Sequence, residues 1–217
     1  MPLPFPLTAV LLDIDGTLLD SNAAHTTAWV QALREHGVET DAAQIRPLIG
    51  MGGDKLLPKI AKVSDESPEG RAISKRKTAV FKTLLPQLQP TAGARALVEF
   101  LREQGLELVI ATSAGEDEVS DLLKRAGLDD LIAKRTSSDD VAASKPEPDI
   151  VRAALARAQA SSDAAIMVGD TPYDIEAAGR AGVRAIALRS GGYWSDEALR
   201  DAVMIADDPA ALLASWR

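Results

Sequence analysis

Ala-Val-Leu-Leu-Asp-Ile-Asp-Gly-Thr-Leu, residues 9–18, is the stretch around which the rest of the chain is organised. A short apolar run that ends in a turn signal predicts a buried strand of a parallel sheet. Asp13 and Asp15 then lie at the carboxyl end of that strand, where open α/β sheets bind their ligands. Two carboxylates this close repel each other, and a cation such as Mg²⁺ would compensate their charge. The alternative is a strand that ends in a solvated aspartate turn, because Asp and Gly are ordinary turn residues.

The segment after the first strand contains only helical patterns. Its first helix is expected to be capped by Ser21 or Asn22, and another helix is predicted over residues 68–88. No strand pattern occurs between residues 20 and 90, so we expect a helical unit inserted after the first strand. We therefore predict an α/β core formed by residues 1–19 and 91–217 and a helical cap formed by residues 20–90.

From residue 91 onward, predicted strands alternate with predicted helices. The strands are expected at 106–111, 131–133, 164–168, 183–188 and 203–205, and the helices at 93–104, 116–126, 148–159 and 175–180. This alternation predicts a doubly wound, Rossmann-like parallel sheet with helices on both faces.

Polar residues stand at four places where predicted strands end or shortly after them. They are Asp13 with Asp15, Thr112 with Ser113, Lys145, and Asp170 with Asp174. Each alone has an ordinary structural explanation, as a helix cap, a loop lysine or a turn aspartate. Because the carboxyl ends of parallel strands face one crevice, we expect these carboxylates, hydroxyls and the ammonium to converge.

The order of these motifs resembles the haloacid dehalogenase superfamily. The matching elements are Asp-x-Asp-Gly-Thr, a strand-end Thr, Lys-Pro and Gly-Asp-x-x-x-Asp, and they span essentially the whole chain. The helical cap after the first strand is typical of the subgroup that contains phosphoglycolate phosphatases, sugar-phosphate phosphatases and β-phosphoglucomutases. The resemblance implies a Mg²⁺-dependent phosphatase that hydrolyses a small phosphorylated metabolite through an aspartyl-phosphate intermediate.

The resemblance also implies a role for each matching residue. Asp13 would be the nucleophile, and Asp15 would be the general acid and then the general base. Mg²⁺ would be held by Asp13, Asp170 and the backbone carbonyl of Asp15. Asp174 would order the metal site or Lys145. The phosphoryl group would be bound by backbone amides around Gly16, by Thr112 and Ser113, and by Lys145.

The cap is expected to select the substrate. Its candidate residues are His25, Gly52, Gly53 and, within the basic run at residues 75–77, Lys77. Each of them also has a structural explanation, as a packing histidine, a helix–helix turn or a solvated helix face. The sequence alone leaves both interpretations of the cap residues open.

Two other functions are compatible with parts of the pattern. A β-phosphoglucomutase-type phosphotransferase would also carry Asp15, but Gly169 stands before Asp170 where mutases of the subgroup carry Glu, which favours a hydrolase. A phospho-accepting signalling domain has a doubly wound sheet with clustered Asp, Thr or Ser, and Lys. Its phosphorylated Asp lies on the third strand, however, and it has no place for the inserted helices.

Composition limits the partners and the cellular location. The 217 residues are 46% hydrophobic and 26% charged, which is ordinary for a globular protein. A net charge of −8 argues against nucleic-acid binding, and the absence of cysteine excludes disulfides and thiolate chemistry. No apolar run reaches the ~18 residues of a membrane span, and the proline-containing N-terminus is a poor signal peptide. We expect a cytoplasmic monomer or weak dimer whose partner is a small phosphorylated molecule.

Overall fold

The computed structural model describes residues 6–217, and its sheet is built around the first strand. Residues 1–5, the beginning of the predicted core and of the proline-containing N-terminus, lie outside the described residues. The strands are β1 (Ala9–Leu12), β2 (Glu107–Ala111), β3 (Lys134–Thr136), β4 (Ala165–Gly169), β5 (Arg184–Leu188) and β6 (Met204–Ala206). They pair in parallel in the order β3-β2-β1-β4-β5-β6, so the predicted doubly wound parallel sheet is confirmed.

The side chains of β1 enter two separate apolar cores. Val10 and Leu12 pack on one face of the sheet, and Ala9 and Leu11 pack on the other, as the two-residue period of a strand requires. All four are fully buried because helices cover both faces. The strand order reverses at β1, which lies between β2 and β4, and this reversal opens a crevice at the carboxyl ends of the strands.

The helical segment that follows β1 forms the cap. Its helices are α1 (Asn22–Glu35), α2 (Ala42–Ile45), α3 (Gly53–Ile60) and α4 (Pro68–Leu84). They enclose an apolar cluster of their own that includes Trp29, Leu33 and Leu57. The chain crosses between core and cap at two adjacent points, where the Asp20 N–H donates to the Gln89 carbonyl at 2.9 Å. We propose the domain boundaries at these crossings, after residues 19 and 90.

Helices cover the two faces of the sheet in two groups. The core helices are α5 (Ala94–Glu103), α6 (Glu116–Ala126), α7 (Asp149–Ala158), α8 (Pro172–Arg180) and α9 (Pro209–Trp216). The apolar sides of α5, α6 and α9 pack against one face, and those of α7 and α8 against the other. None of the helices within residues 6–217 combines the length and the apolar character needed to cross a membrane.

Some predicted element boundaries were wrong for identifiable reasons. The strand predicted at 131–133 is β3 at Lys134–Thr136, because Ile132 belongs to the turn after α6, where its N–H donates to the Leu128 carbonyl at 3.1 Å. Because β3 is an edge strand, it carries polar residues and lacks the apolar pattern that predicted the other strands. The helix predicted to reach residue 88 ends at Leu84, and α8 begins at Pro172 rather than 175. Helix α9 was not predicted.

Candidate active site

Three buried carboxylates meet where β1 and β4 end. Asp13 follows β1, Asp170 follows β4, and Asp174 lies in the first turn of α8. One oxygen from each lies within 4.8 Å of the others. The Asp13 N–H donates to the Val168 carbonyl at 3.0 Å, so pairing with β4 fixes the backbone from which this carboxylate enters the crevice.

Asp174 is positioned by the capping box that begins α8. Its Oδ2 accepts hydrogen bonds from the Thr171 N–H at 3.0 Å and from the Thr171 hydroxyl at 2.7 Å. Pro172 occupies the first turn, where a missing N–H costs nothing. The second oxygen of Asp174 therefore faces the site in a fixed position.

Lys145 lies among these carboxylates and is only 1% exposed. Its Nζ donates to Asp13 Oδ1 at 2.6 Å and to Asp174 Oδ1 at 2.7 Å. Burial would lower the pKa of Lys145, but the charges of Asp13 and Asp174 outweigh it and raise that pKa above its ordinary value. Lys145 is therefore a fixed cation whose position depends on Asp174.

One ammonium does not neutralise the cluster. Burial raises the pKa of Asp13 to about 7, even though Lys145 acts in the opposite direction. Burial and the neighbouring Asp174 and Asp13 charges raise the pKa of Asp170 well above its usual range. When these carboxylates are ionised, their negative charge exceeds the positive charge of Lys145, and a divalent cation would balance the excess. Buried carboxylate oxygens are ligands that suit Mg²⁺, so the residues present fit this ion.

Asp15 faces the cap instead of the carboxylate cluster. Its Oδ1 accepts from the Ser21 hydroxyl at 2.5 Å and lies 2.8 Å from His25 Nε2. Burial would raise the pKa of Asp15, but the charge of His25 and the hydrogen bonds from His25 and Ser21 lower it to about 2. The His25 ring stacks on Phe81 with ring centroids 4.0 Å apart, so a cap side chain holds the imidazole against Asp15.

The residues at the start of the first cap helix make contacts that the sequence did not predict. Ser21 occupies the N-cap position of α1, but its side chain makes no capping hydrogen bond and binds Asp15 instead. The Asn22 amide donates to Asp170 Oδ2 at 2.8 Å, and the Thr17 hydroxyl donates to Asp170 Oδ1 at 3.3 Å. The sequence signalled a helix start at residues 21 and 22, but it did not indicate these partners.

Gly16 provides space beside the carboxylate cluster. Its N–H donates to the Leu19 carbonyl at 2.8 Å, and binding of phosphate by the backbone amides around Gly16 stays a prediction. Its φ is +76°, and a Cβ at this position would lie 2.3 Å from both Asp170 Oδ2 and Asn22 Nδ2. Glycine is therefore required for the approach of Asp170 to β1.

A cavity of about 200 Å³ opens in front of Asp13 and Asp15, between cap and core. Its walls include the predicted residues Thr112, Ser113, His25, Gly52, Gly53 and Lys77. Thr112 Oγ1 accepts from the Ala114 N–H at 3.1 Å, and the Ser113 hydroxyl donates to the carbonyl of Gly50 in the cap at 3.3 Å. The cap loop thus rests directly on the strand-end residues of the core.

The basic run of the cap divides between the cavity and the surface. Lys77 lines the cavity, and its Nζ donates to Glu118 Oε1 at 3.1 Å. Arg76 forms an exposed ion pair with Glu35, and Lys75 is exposed. Glu118 was not singled out from the sequence, because an acidic residue in the first turn of a helix is ordinary.

Comparisons with known proteins agree on the family of this fold and site. The family model described as haloacid dehalogenase-like hydrolase matches residues 10–188. A phosphoglycolate phosphatase from Rhodospirillum rubrum is 32% identical over 216 residues, which cover 94% of this chain and 88% of that protein.

Solved structures show the same architecture. A hydrolase from Pseudomonas syringae superimposes with a TM-score of 0.89 at 32% identity, covering 96% of this chain and 97% of its own. A β-phosphoglucomutase from Clostridium difficile superimposes with a TM-score of 0.82 at 17% identity, covering 94% of this chain and 92% of its own. The second similarity shows a shared fold alone.

Proposed function

The chain belongs to the haloacid dehalogenase-like hydrolase family and is a phosphoric monoester hydrolase, and on this premise we propose that it is a Mg²⁺-dependent phosphatase acting through an aspartyl-phosphate. Its substrate is a small metabolite, a phosphoglycolate- or sugar-phosphate-type monoester. One observation carries the proposal: Asp13 contacts Lys145, belongs to a buried carboxylate cluster, and lines the same cavity as Asp15.

The first half of the reaction transfers the phosphoryl group to Asp13. A carboxylate oxygen of Asp13 forms a bond to phosphorus while the bond from phosphorus to the ester oxygen breaks. The leaving oxygen needs a proton, and Asp15 with a pKa of about 2 does not hold one alone. The His25–Asp15 pair, joined at 2.8 Å, shares the proton and delivers it through Asp15.

The second half regenerates the carboxylate. Water attacks phosphorus, its proton passes to the same His25–Asp15 pair, and the bond between Asp13 and phosphorus breaks to release inorganic phosphate. Lys145 has three N–H donors, so it can bind a phosphoryl oxygen as well as its carboxylate partners. Asp13, Asp170 and the Asp15 carbonyl would hold Mg²⁺, which would supply positive charge to neutralise the nucleophile and the phosphoryl group.

The proposal is tested by phosphate release from a panel of small monoesters, measured with Mg²⁺ and with EDTA. We expect turnover with Mg²⁺ and its loss in EDTA. Asp13→Asn should lower kcat by more than about a hundred-fold, because it removes the nucleophile. The control is Asp20→Asn, which changes an exposed aspartate between β1 and the first cap helix and should keep full activity. Turnover indifferent to EDTA, or an active Asp13→Asn protein with native circular dichroism, would contradict the assignment.

A mutase reaction is the competing function, and Gly169 argues against it. A Cβ at residue 169 would lie 2.4 Å from the Asp174 carboxyl carbon, so a glutamate cannot stand before Asp170 while Asp174 keeps its place. With β-glucose 1-phosphate and a bisphosphate primer we expect free phosphate to form faster than glucose 6-phosphate. The reverse order of rates would favour a β-phosphoglucomutase-type phosphotransferase.

A further inference from the structure

A nearly buried ion pair crosses from the cap to the core inside the cavity. Lys77 on α4 donates to Glu118 on α6 at 3.1 Å and 3.4 Å, and both side chains line the cavity. Their side chains are only 10% and 11% exposed. Lys77 Nζ also lies 5.0 Å from the Phe81 ring centroid and 5.9 Å from that of Trp29. Glu118 and the aromatic faces therefore already satisfy the positive charge of Lys77.

Among the described residues, the cavity wall offers no unpaired Lys or Arg side chain. Within residues 6–217, Lys77 is the only Lys or Arg side chain among the cavity walls. The first turn of α6 could otherwise attract an anion, but Glu116 and Asp117 stand there together with Glu118. Besides Asp13, Asp15, His25 and Trp29, the remaining polar side chains of the wall are neutral hydroxyls, those of Ser74, Thr78, Thr112, Ser113 and Ser138.

We propose that Glu118 is a specificity-determining residue that makes the site reject substrates with a second negative charge and accept those with an uncharged, hydroxylated leaving group. This inference rests on the proposed phosphatase function and deepens it, because of the two substrate types proposed above it favours the sugar-phosphate type over the phosphoglycolate type. A carboxylate or second phosphate on the substrate could bind Lys77 only by displacing Glu118. Glu118 would then lie unpaired beside the incoming anion in a partly desolvated cavity, where like charges repel strongly. A hydroxyl can instead donate to Glu118 and accept from Lys77.

Matched pairs of substrates isolate this effect. Phosphoglycolate and hydroxyethyl phosphate share one carbon skeleton and differ in a terminal carboxylate against a hydroxymethyl group. The pair 6-phosphogluconate and sorbitol 6-phosphate poses the same comparison in a larger substrate. The measured quantity is the ratio of kcat/KM for the acidic member to kcat/KM for the neutral member. Comparing this ratio between variants cancels the difference in intrinsic reactivity of the two esters.

Glu118→Gln keeps a hydrogen-bond acceptor for Lys77 and removes the negative charge. We expect the ratio to rise by about ten-fold or more, which is the order of the repulsion between close charges in a partly buried site. Glu116→Gln, an exposed residue in the same helical turn, makes the same change in net charge and should leave the ratio within about two-fold of the wild type. An unchanged ratio in Glu118→Gln, or an equal rise in both variants, overturns the proposal.

The wild-type protein provides a test that needs no variant. It should hydrolyse the neutral member of each pair with a kcat/KM about ten-fold or more above that of the acidic member. A preference for phosphoglycolate or 6-phosphogluconate overturns the role of Glu118 while leaving the phosphatase function intact. Failure to release phosphate from any ester with Mg²⁺ would instead refute the proposed function itself.

Discussion

Replacing Lys145 by Met tests the electrostatic organisation of the site most directly. Methionine keeps an unbranched chain in the buried position but removes the charge that lies 2.6 Å from Asp13 and 2.7 Å from Asp174. The remaining carboxylates then repel one another without a partner. Breaking a buried ion pair from one side costs about 3–5 kcal/mol, and we expect the free energy of unfolding in EDTA to fall by that amount.

Lys134→Met is the matched control. Lys134 Nζ lies 2.7 Å from Glu107 Oε2, the same separation as between Lys145 and Asp174, but its side chain is 43% exposed and that of Glu107 is 53% exposed. Because solvent screens such a pair, its loss should cost less than about 1 kcal/mol. Urea unfolding followed by circular dichroism measures both variants. Equal losses for Lys145→Met and Lys134→Met would refute the reasoning, since burial and a second carboxylate partner distinguish Lys145 from Lys134.

Mg²⁺ adds a second measurement to the same experiment. An ion that binds the folded carboxylate cluster alone stabilises the protein by about 2.7 kcal/mol at a concentration of about a hundred times its Kd. We therefore expect Mg²⁺ to raise the unfolding midpoint of the wild type and of Lys134→Met. A wild-type midpoint that is the same in Mg²⁺ and in EDTA would contradict metal binding at this cluster.

Two further substitutions probe the surroundings of the carboxylates. Gly16→Ala places a Cβ 2.3 Å from Asp170 Oδ2, whereas the Cβ of Gly37→Ala, at a similar φ of +78°, meets no atom within 4 Å. In urea unfolding we expect the free energy of unfolding to fall by about 1–3 kcal/mol for Gly37→Ala and by clearly more for Gly16→Ala. Equal losses would contradict the steric argument. His25→Gln should lower kcat by about a hundred-fold, because the proton shared with Asp15 is lost. The control is His36→Gln, which should leave kcat unchanged because the His36 ring contacts the Ala32 carbonyl of its own helix. Equal kcat values for the two variants would remove His25 from the mechanism.

Most of the core fold could be predicted from local patterns. The apolar run of β1 and the strand–helix alternation after residue 91 predicted the parallel sheet, since burial on both faces leaves a strand without polar positions. The prediction was wrong where an element did not carry its expected pattern. Edge strand β3 is polar at Lys134 and Arg135, and the start of α8 depends on a capping box between Thr171 and Asp174 rather than on apolar spacing.

The sequence by itself determined which polar residues stand at strand ends, and therefore that Asp13, Thr112, Lys145 and Asp170 share one edge of the sheet. That follows because the direction of parallel strands is set by their connections, which can be read along the chain. Only the tertiary structure decided how the cap completes the site. Ser21 and Asn22 bind the aspartates, His25 reaches Asp15, and Lys77 pairs with Glu118 across 41 positions of sequence. These contacts depend on how two separately packed cores are placed against each other, and the periodicity of a helix encodes which side is buried but not which residue it meets.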